Sequence, residues 1–296
     1  MPNPMTDRQA SVALFFAASF WGLYWLPVRM IEAAGLSPSF SVALFNVAPL
    51  LVLVPLVVLR RRTELRHWPQ VVFIGGTLGI GLGLYAMAMV VAPVIRVTML
   101  FYLTPVWSTL IGVFWLNEPL TLRRIIAVLL GFAGLSLLLA GGGLSDPLGY
   151  GDFCALAAGV FWGFGAAGLK RWPDAPTVMV TTVQFLSVVL FCTFVAGAVL
   201  AEPLPNLSAV RSALPVAVLA SLLVLMPSAY VMFVTARLLY PGRVGILMMS
   251  EVLVAILSAS ILLPDETMTL VQWIGGVVVL TACVIEIASQ DQGTLT

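Results

Sequence analysis

Long runs of apolar residues, each about twenty positions in length, follow one another along the chain with only short polar segments between them. An α-helix needs about twenty apolar residues to cross a bilayer, whereas a membrane-barrel strand alternates apolar and polar residues over about ten positions. The connecting segments are too short for a soluble domain, so we expect the function to reside within the membrane. The pattern predicts ten transmembrane helices, over residues 11–31, 38–59, 68–90, 95–116, 121–140, 150–170, 176–200, 212–236, 242–263 and 268–288.

The composition supports this interpretation. Apolar residues make up 61% of the 296 residues and charged residues only 9%, against roughly a quarter charged in soluble domains. So few polar residues could not cover the apolar surface of a soluble protein, and lipid must cover it instead. Because lipid offers the backbone no hydrogen-bond partners, the apolar runs are expected to be helical. The predicted fold class is therefore all-α integral membrane.

The distribution of basic residues predicts the orientation. With both termini in the cytoplasm, eleven of the 14 Lys and Arg residues fall in cytoplasmic segments, and only Arg29, Arg96 and Arg211 fall outside. This is the expected positive-inside bias, and it supports an even number of spans. Arg outnumbers Lys 13 to 1, which is typical of GC-rich bacterial genomes. We therefore expect a multi-pass protein of the bacterial inner (cytoplasmic) membrane with both termini cytoplasmic.

The chain also contains an internal repeat. Phe-Trp-Gly at 20–22 recurs at 161–163, and Asn-Glu-Pro-Leu-Thr-Leu at 117–122 is echoed by Asp-Glu-Thr-Met-Thr-Leu at 265–270. Each copy holds five predicted spans, and an odd number places the two copies upside down relative to each other. Two arginines follow the first hexapeptide and none follows the second, as the inversion requires.

This organisation predicts two inverted five-helix repeats, residues 1–145 and 146–296, within one transmembrane domain. Two similar halves that pack in two related ways can open a midplane site to one side of the membrane at a time. The repeat therefore indicates transport of a small-molecule substrate by alternating access. The glycine stripe of Gly75, Gly79 and Gly83 indicates close helix packing in the bundle, a dimer face or a moving seam.

Glu251 is the only acidic residue well inside a predicted span. A carboxylate at that depth costs about 2.5–3.5 kcal/mol on insertion scales, so a cavity, a partner or protonation must offset the cost. One hypothesis is that Glu251 lines a transport cavity and contacts a substrate amine or carries a proton. The alternative is a structural glutamate, hydrogen-bonded between helices or neutral.

Tyrosine and tryptophan residues also lie deep in predicted spans, where their hydroxyl and indole groups need polar partners. Trp21 matches Trp162 in the repeat, and Tyr85 matches Tyr230. Such pairs suit a central cavity for a flat, partly apolar solute with a charged end. Ordinary helix packing accounts equally well for any single one of them.

Four further residues carry structural expectations. Pro105 and Pro227 lie in the middle of predicted spans, where the loss of a backbone hydrogen bond is expected to kink the helix. Arg96 and Arg243 occupy matching repeat positions near the starts of spans. Long basic side chains at such positions are expected to reach the membrane interface.

Several classes of function are disfavoured. The net charge of +1 argues against a nucleic-acid partner, and Cys154, Cys192 and Cys283 lie in three different apolar runs, as small core residues. The chain has no zinc-binding His-Glu-x-x-His helix, nucleophile elbow or phosphate-binding loop. We therefore predict no enzymatic activity, no catalytic or metal-binding residues and no cofactor. Transport would be secondary or passive, with protons as candidate coupling ions.

A resemblance to a known family extends over nearly the whole chain. Its best-matched motifs are Leu-Thr-Pro-Val at 103–106 and Leu-Asn-Glu-Pro-Leu-Thr at 116–121. The chain resembles the EamA-type branch of the drug/metabolite transporter superfamily, and within it the YddG-type exporters of aromatic and other neutral amino acids. In the second copy, Glu251 matches the family pattern, but Val252 stands where the family often has proline. The ninth span therefore lacks the proline that would predict a kink at this position.

The resemblance implies export of small metabolites or drugs from a central cavity lined by the first, third, fourth, sixth, eighth and ninth spans. Glu118 and Glu266 match the loop motif and are expected to cap the starts of the fifth and tenth spans. Carried over residue by residue, the resemblance implies a substrate-binding set of Trp21, Tyr24, Tyr85, Tyr102, Trp162, Tyr230, Ser250 and Glu251.

The leading interpretation is a transporter that exports aromatic and other neutral amino acids. A permease for a different metabolite or a cationic drug is the main alternative, and an anion of the nucleotide-sugar kind is disfavoured because few basic residues lie at depth. A membrane-embedded enzyme and a structural or sensory role are the non-transport alternatives. The sequence fits export and import equally well. It also fits a monomer and a dimer equally well.

Overall fold

A computed structural model describes residues 5–60, 67–140, 148–262 and 268–288. Every regular element in these ranges is helical. The first half contains α1 (Asp7–Trp21), α2 (Trp25–Ala33), α3 (Pro38–Leu59), α4 (Trp68–Val91), α5 (Val94–Phe101), α6 (Thr104–Leu116) and α7 (Leu122–Leu138). The second half contains α8 (Tyr150–Arg171), α9 (Thr177–Phe194), α10 (Leu207–Ala220), α11 (Met226–Ala236), α12 (Pro241–Met248), α13 (Ser250–Leu262) and α14 (Leu270–Ala288). Two π-helical turns, Val195–Val199 and Ser221–Leu225, extend α9 and join α10 to α11.

The predicted all-helical membrane fold is confirmed. Among the described residues, nine helical segments are long and apolar enough to cross a membrane, and they coincide with nine of the ten predicted spans. The remaining predicted span, 121–140, corresponds to α7, which has 17 residues. That length is at the lower limit, about 17 residues, for a transmembrane helix. The count of ten spans therefore stays a prediction.

Three spans are broken near their middle: the first between α1 and α2, the fourth between α5 and α6, and the ninth between α12 and α13. Pro105 lies in the first turn of α6, and because it has no N–H, it cannot bond the Phe101 carbonyl oxygen. The Thr104 hydroxyl donates to that oxygen instead, at 2.5 Å. The ninth span breaks at Met249 without a proline, so Val252 does not keep this span continuous.

Pro227, which was expected to kink the eighth span, lies in the first turn of α11, directly after the π-helical turn Ser221–Leu225. A proline cannot donate the hydrogen bond that would continue a regular helix. The extra residue of a π-helical turn is one way in which a helix accommodates such a loss. The eighth span is thus widened at its middle.

Glycine positions allow close approach between helices. A Cβ atom at Gly75 of α4 would lie 2.7 Å from the Val180 carbonyl oxygen of α9. A Cβ atom at Gly134 of α7 would lie 2.8 Å from the Gly275 carbonyl oxygen of α14. Both contacts are too short for any side chain. The predicted packing role of the Gly75 stripe within the bundle is therefore confirmed.

The three cysteines are buried, and none is bonded to another cysteine. Cys154 packs with the residues around Met87, and Cys283 lies in the core with its thiol 3.4 Å from the Ile246 carbonyl oxygen. They behave as the small core residues that the apolar runs predicted.

Two arginines that were expected at the membrane interface are buried instead. The Arg96 Nε atom lies 2.7 Å from the Asp152 Oδ1 atom, and both residues are buried. Arg243 is completely buried, and its guanidinium group donates to the Ile287 carbonyl oxygen at 3.5 Å. The prediction of interfacial positions is wrong for both, because acceptors inside the bundle replace the water that they would find at the interface.

Candidate functional site

A cavity of about 520 Å³ opens at one end of the bundle and ends near the middle of the spans. Glu32 and Pro38 lie at its open end, and Trp162 and Glu251 lie at its closed end. We refer to the end of the bundle at which the cavity opens as the Glu32 end, and to the opposite end as the Arg124 end. The cavity therefore occupies only one half of the membrane-spanning depth.

Glu251 and Tyr102 lie at the closed end of the cavity, each beside a helix break. Glu251 lies in the first turn of α13, and Tyr102 directly follows α5 at the start of the break between α5 and α6. The Tyr102 hydroxyl donates a hydrogen bond to Glu251 Oε1. The Glu251 Oε2 atom has no hydrogen-bond partner among the described residues. Glu251 thus lines the cavity from a helix N-terminus, where the helix dipole stabilises negative charge, and its Oε2 atom is buried without a partner.

Aromatic rings form much of the cavity wall. The Trp21 and Tyr24 rings are nearly parallel, with centroids 6.2 Å apart, and the Tyr24 hydroxyl accepts from Asn46 Nδ2 at 2.9 Å. The Tyr85 and Phe101 rings lie 4.3 Å apart. These contacts fix the orientation of the rings, so the wall is preformed for a flat apolar group.

The first half of the chain and the second half both contribute to the wall. Trp162 of α8 lines the cavity and donates its indole N–H to the Met248 sulfur at 3.2 Å. Six of the eight residues that were expected to bind substrate line this cavity: Trp21, Tyr24, Tyr85, Tyr102, Trp162 and Glu251.

The structure places the other two expected residues elsewhere. Tyr230 is 48% exposed on the outer surface of α11, because the face of α11 that packs into the bundle carries Ala229, Met232 and Phe233. The expected symmetric pair of Tyr85 and Tyr230 is therefore not formed around the cavity. Ser250 is buried, and its hydroxyl donates to the Phe15 carbonyl oxygen at 3.1 Å, so it ties α13 to α1.

The set of contributing spans also differs from the expectation. No described residue of the eighth span lines the cavity, whereas the second span contributes Ser39 and Val42, and the seventh contributes Cys192 and Val195. Glu32 was missed as well, because it follows the predicted first span by one residue and is not marked by the repeat. Its only signal in the sequence is an acidic side chain close to a span end.

The charged side chains among the described lining residues have one sign. The described lining residues include the carboxylates of Glu32 and Glu251 and no basic side chain. A third carboxylate, Glu202, accepts hydrogen bonds from the Ser37 and Ser39 hydroxyls at 2.6 and 2.8 Å, and Ser39 lines the cavity. The cavity therefore favours a cation over an anion.

The Arg124 half of the bundle is closed where α6 meets α12. A Cβ atom at Gly245 would lie 2.9 Å from the Pro105 Cα atom, so the two backbones are in direct contact. Close to this contact, the buried Thr109 Oγ1 atom of α6, which a Cβ atom at Gly242 of α12 would approach to 2.6 Å, has no hydrogen-bond partner among the described residues. Such groups are normally paired or hydrated. We call the contact between α6 and α12 the Gly245 seam.

A buried ionic cluster covers the Gly245 seam at the Arg124 end. The Arg124 guanidinium group pairs with Glu118 and, with its Nε atom 2.7 Å from Oε1, with Glu286. Burial raises the pKa of the Glu118 carboxyl above its ordinary value, although the nearby guanidinium group opposes this shift. The expectation that Glu118 caps the fifth span is wrong: Thr121 caps α7 by accepting from the Arg124 backbone N–H at 3.2 Å. Glu266 lies outside the described residues.

The sequence profile of the EamA-like transporter family matches residues 9–140 and again residues 149–287. The chain belongs to the EamA-like transporter family. Its members are membrane transporters of small metabolites, which agrees with the prediction of no enzymatic activity. The two matches also agree with the internal repeat.

Comparison with other proteins adds information on the fold of this EamA-like chain. A search of curated protein sequences found no significant match. Among solved structures, 19 chains match significantly. One of them, described only as the crystal structure of a protein, covers 93% of this chain and 95% of its own length with a TM-score of 0.73 and 19% sequence identity. At that identity the likeness shows the fold alone.

Proposed function

We propose that this EamA-like protein exports small amine-bearing metabolites with an apolar or aromatic body, and that aromatic and other neutral amino acids are its first candidate substrates. The observation that carries the proposal is the Glu251 carboxylate in the wall of an aromatic cavity, with an Oε2 atom that is buried and has no partner among the described residues. The Glu251 carboxylate accepts the amine, and the rings of Trp21, Tyr85 and Trp162 contact the body. A cation near such rings also gains from cation–π attraction.

A second candidate is an amine without a carboxylate, including a cationic drug. The absence of basic side chains from the described lining favours it, because the carboxylate of an amino acid would find no cationic partner there. The volume of about 520 Å³ suits either class, since small-molecule sites span roughly 300–1,000 Å³.

We infer that the mechanism is alternating access between the inverted halves, residues 1–145 and 146–296. Two contrasting features support this: the cavity is open at the Glu32 end, and the Gly245 seam closes the Arg124 end. In the opposite conformation the seam separates, and water or substrate reaches the unpartnered Thr109 hydroxyl of α6. The positive-inside rule makes the Arg124 end cytoplasmic, so the structure corresponds to an outward-open state.

The test is counterflow exchange in proteoliposomes, with labelled phenylalanine, tryptophan, methionine and threonine compared with phenethylamine and tryptamine. Saturable exchange of the amino acids supports the first candidate, and exchange of the amines alone supports the second. An imposed pH gradient that drives uptake would identify Glu251 as a proton carrier, provided that Glu251→Gln abolishes the effect. No exchange above empty liposomes with any of these solutes overturns the proposal.

A further inference from the structure

A second apolar space of about 210 Å³ lies on the outer surface of the bundle, between the first, second and eighth spans. It runs along the break between α1 and α2 and faces the π-helical turn Ser221–Leu225. We call it the outer groove. It is distinct from the central cavity, but the two share Trp21 and Tyr24 as wall residues.

The outer groove offers almost no polar surface. The Ser228 hydroxyl, which lies in its wall, is already bonded to the Val224 carbonyl oxygen at 2.7 Å. The Tyr24 hydroxyl is bonded to Asn46. Water needs two to four polar partners to occupy a cavity, and an apolar cavity of about 150 Å³ stays dry. A polar ligand is therefore excluded, and the occupant must be apolar.

The position of the outer groove identifies the source of that occupant. Its rim residues Phe20 and Met30 are 55% and 50% exposed, and they lie on spans of a protein that resides in a bilayer. The hydrocarbon around these spans consists of lipid chains, which are flexible and can enter a narrow concave surface. We propose that the outer groove binds one acyl chain of a membrane phospholipid, which enters from the side of the bundle.

The shared wall gives the site a consequence for the central cavity. The Trp21 and Tyr24 rings separate the two spaces, and Tyr24 also packs edge-on against Phe45, with centroids 5.0 Å apart. An acyl chain in the outer groove supports the back of this wall, because a void there forfeits van der Waals contacts. This consequence rests on the proposed transport function, whereas lipid binding itself does not.

The test uses purified, delipidated protein in detergent, titrated with a phosphatidylcholine that carries a photoreactive diazirine near the middle of one acyl chain. After irradiation, peptide mass spectrometry locates the labelled residues. We expect label around residues 216–228 that saturates at one lipid per chain and is competed by unlabelled phosphatidylcholine. Label elsewhere on the outer surface, such as at Leu51 of α3, should rise without saturation, because that residue lies on an open face.

A matched pair of variants makes the test specific. Ala220→Trp fills the outer groove and should reduce saturable labelling at least tenfold. Leu219→Trp adds the same side chain at a neighbouring position that is 60% exposed and does not line the groove, and it should leave labelling unchanged. Size-exclusion profiles and helical circular dichroism show whether both variants fold; if Ala220→Trp does not, Val216→Phe replaces it.

Three outcomes overturn the proposal: labelling that does not saturate, labelling that the two variants reduce equally, and labelling that phenylalanine or tryptamine competes but phosphatidylcholine does not. The last outcome would make the groove a side entrance for solutes. Because the readout is covalent labelling, it stands even if no solute is exchanged in the transport assay.

Discussion

The Tyr102 hydroxyl donates a hydrogen bond to the Glu251 carboxylate and so joins the broken fourth span to the broken ninth span. The bond occupies one carboxylate oxygen, and the other is buried without a hydrogen-bond partner among the described residues. A solute that engages the free oxygen therefore contacts both broken spans through one side chain. This links occupancy of the cavity to the helices that close the Gly245 seam.

Glu251→Gln should weaken binding of an amine-bearing solute by about 10- to 100-fold, because a charge-assisted hydrogen bond contributes about 1.5–3 kcal/mol. Glu32→Gln is the control, since Glu32 lies at the open end of the same cavity, and its effect should be smaller. Concentration-dependent counterflow measures both. Equal losses in the two variants would mean that the cavity attracts cations in general and that Glu251 is not the binding group.

Gly245→Val should prevent closure of the Gly245 seam, because a Cβ atom there lies 2.9 Å from the Pro105 Cα atom. Overpacking of this kind costs about 1–3 kcal/mol. The measurement is maleimide labelling of Thr109→Cys, which faces Gly242 of α12, in a background without the native cysteines, and the rate should rise at least tenfold. Gly76→Ala, which adds its methyl group to open space, is the control and should leave the rate unchanged. Unchanged labelling in both would contradict the seam as a gate.

Arg124→Met should destabilise the protein by about 3–5 kcal/mol, because it leaves the buried Glu118 and Glu286 without their shared cation. Arg123→Met removes the neighbouring exposed arginine and should change stability by less than about 0.5 kcal/mol. Thermal unfolding in a fixed detergent compares the two variants. If the triple variant Arg124→Met/Glu118→Gln/Glu286→Gln is as unstable as Arg124→Met alone, the unpaired charges are not the cause.

Stability should decrease as pH rises through the range just above 4.5, the ordinary pKa of a glutamate. The direction follows from the raised pKa of Glu118: the folded protein holds this proton more tightly than the unfolded chain does, so its contribution is present at low pH and is lost on ionisation. The check is the difference in melting temperature between wild type and Glu118→Gln across this range. A difference that is constant with pH would contradict it.

Trp162→Phe should raise the half-saturating solute concentration roughly two- to tenfold, since an aromatic contact contributes about 0.5–1.5 kcal/mol. Tyr230→Phe should leave transport unchanged, because Tyr230 lies on the outer surface. The pair tests the location of the site with two conservative changes. Comparable effects of both would return Tyr230 to the binding set.

The spans and much of the site could be predicted from the sequence because they depend on local features. Hydropathy determines where a helix crosses the membrane, and nine of the ten predicted spans agree with the structure. The depth of a residue in the membrane also follows from its position within a span. For this reason Trp21, Trp162 and Glu251 were correctly expected to line a cavity. The ninth span has no Pro near its middle, so the rule that a proline kinks a helix could not predict its break at Met249.

Features that depend on helix rotation or on distant partners could not be predicted. A repeat match gives the position of Tyr230 along its span but not the face on which it lies. Arg96 finds its partner Asp152 56 residues later in the chain. The pairing of Arg124 with Glu286 likewise joins the first half of the sequence to the last helix of the second half. Periodicity carries no information on such pairs.

The fourth and ninth spans, which meet at Glu251, differ in whether the broken helix can become continuous. In the fourth span, Pro105 permanently lacks the N–H that would bond the Phe101 carbonyl oxygen, so this break is fixed by covalent structure. In the ninth span, every residue around Met249 retains its N–H, so no missing donor prevents a continuous helix there. The two breaks therefore differ in cause: the one in the fourth span is permanent, whereas the one in the ninth span is the break that can change under the proposed alternating-access mechanism.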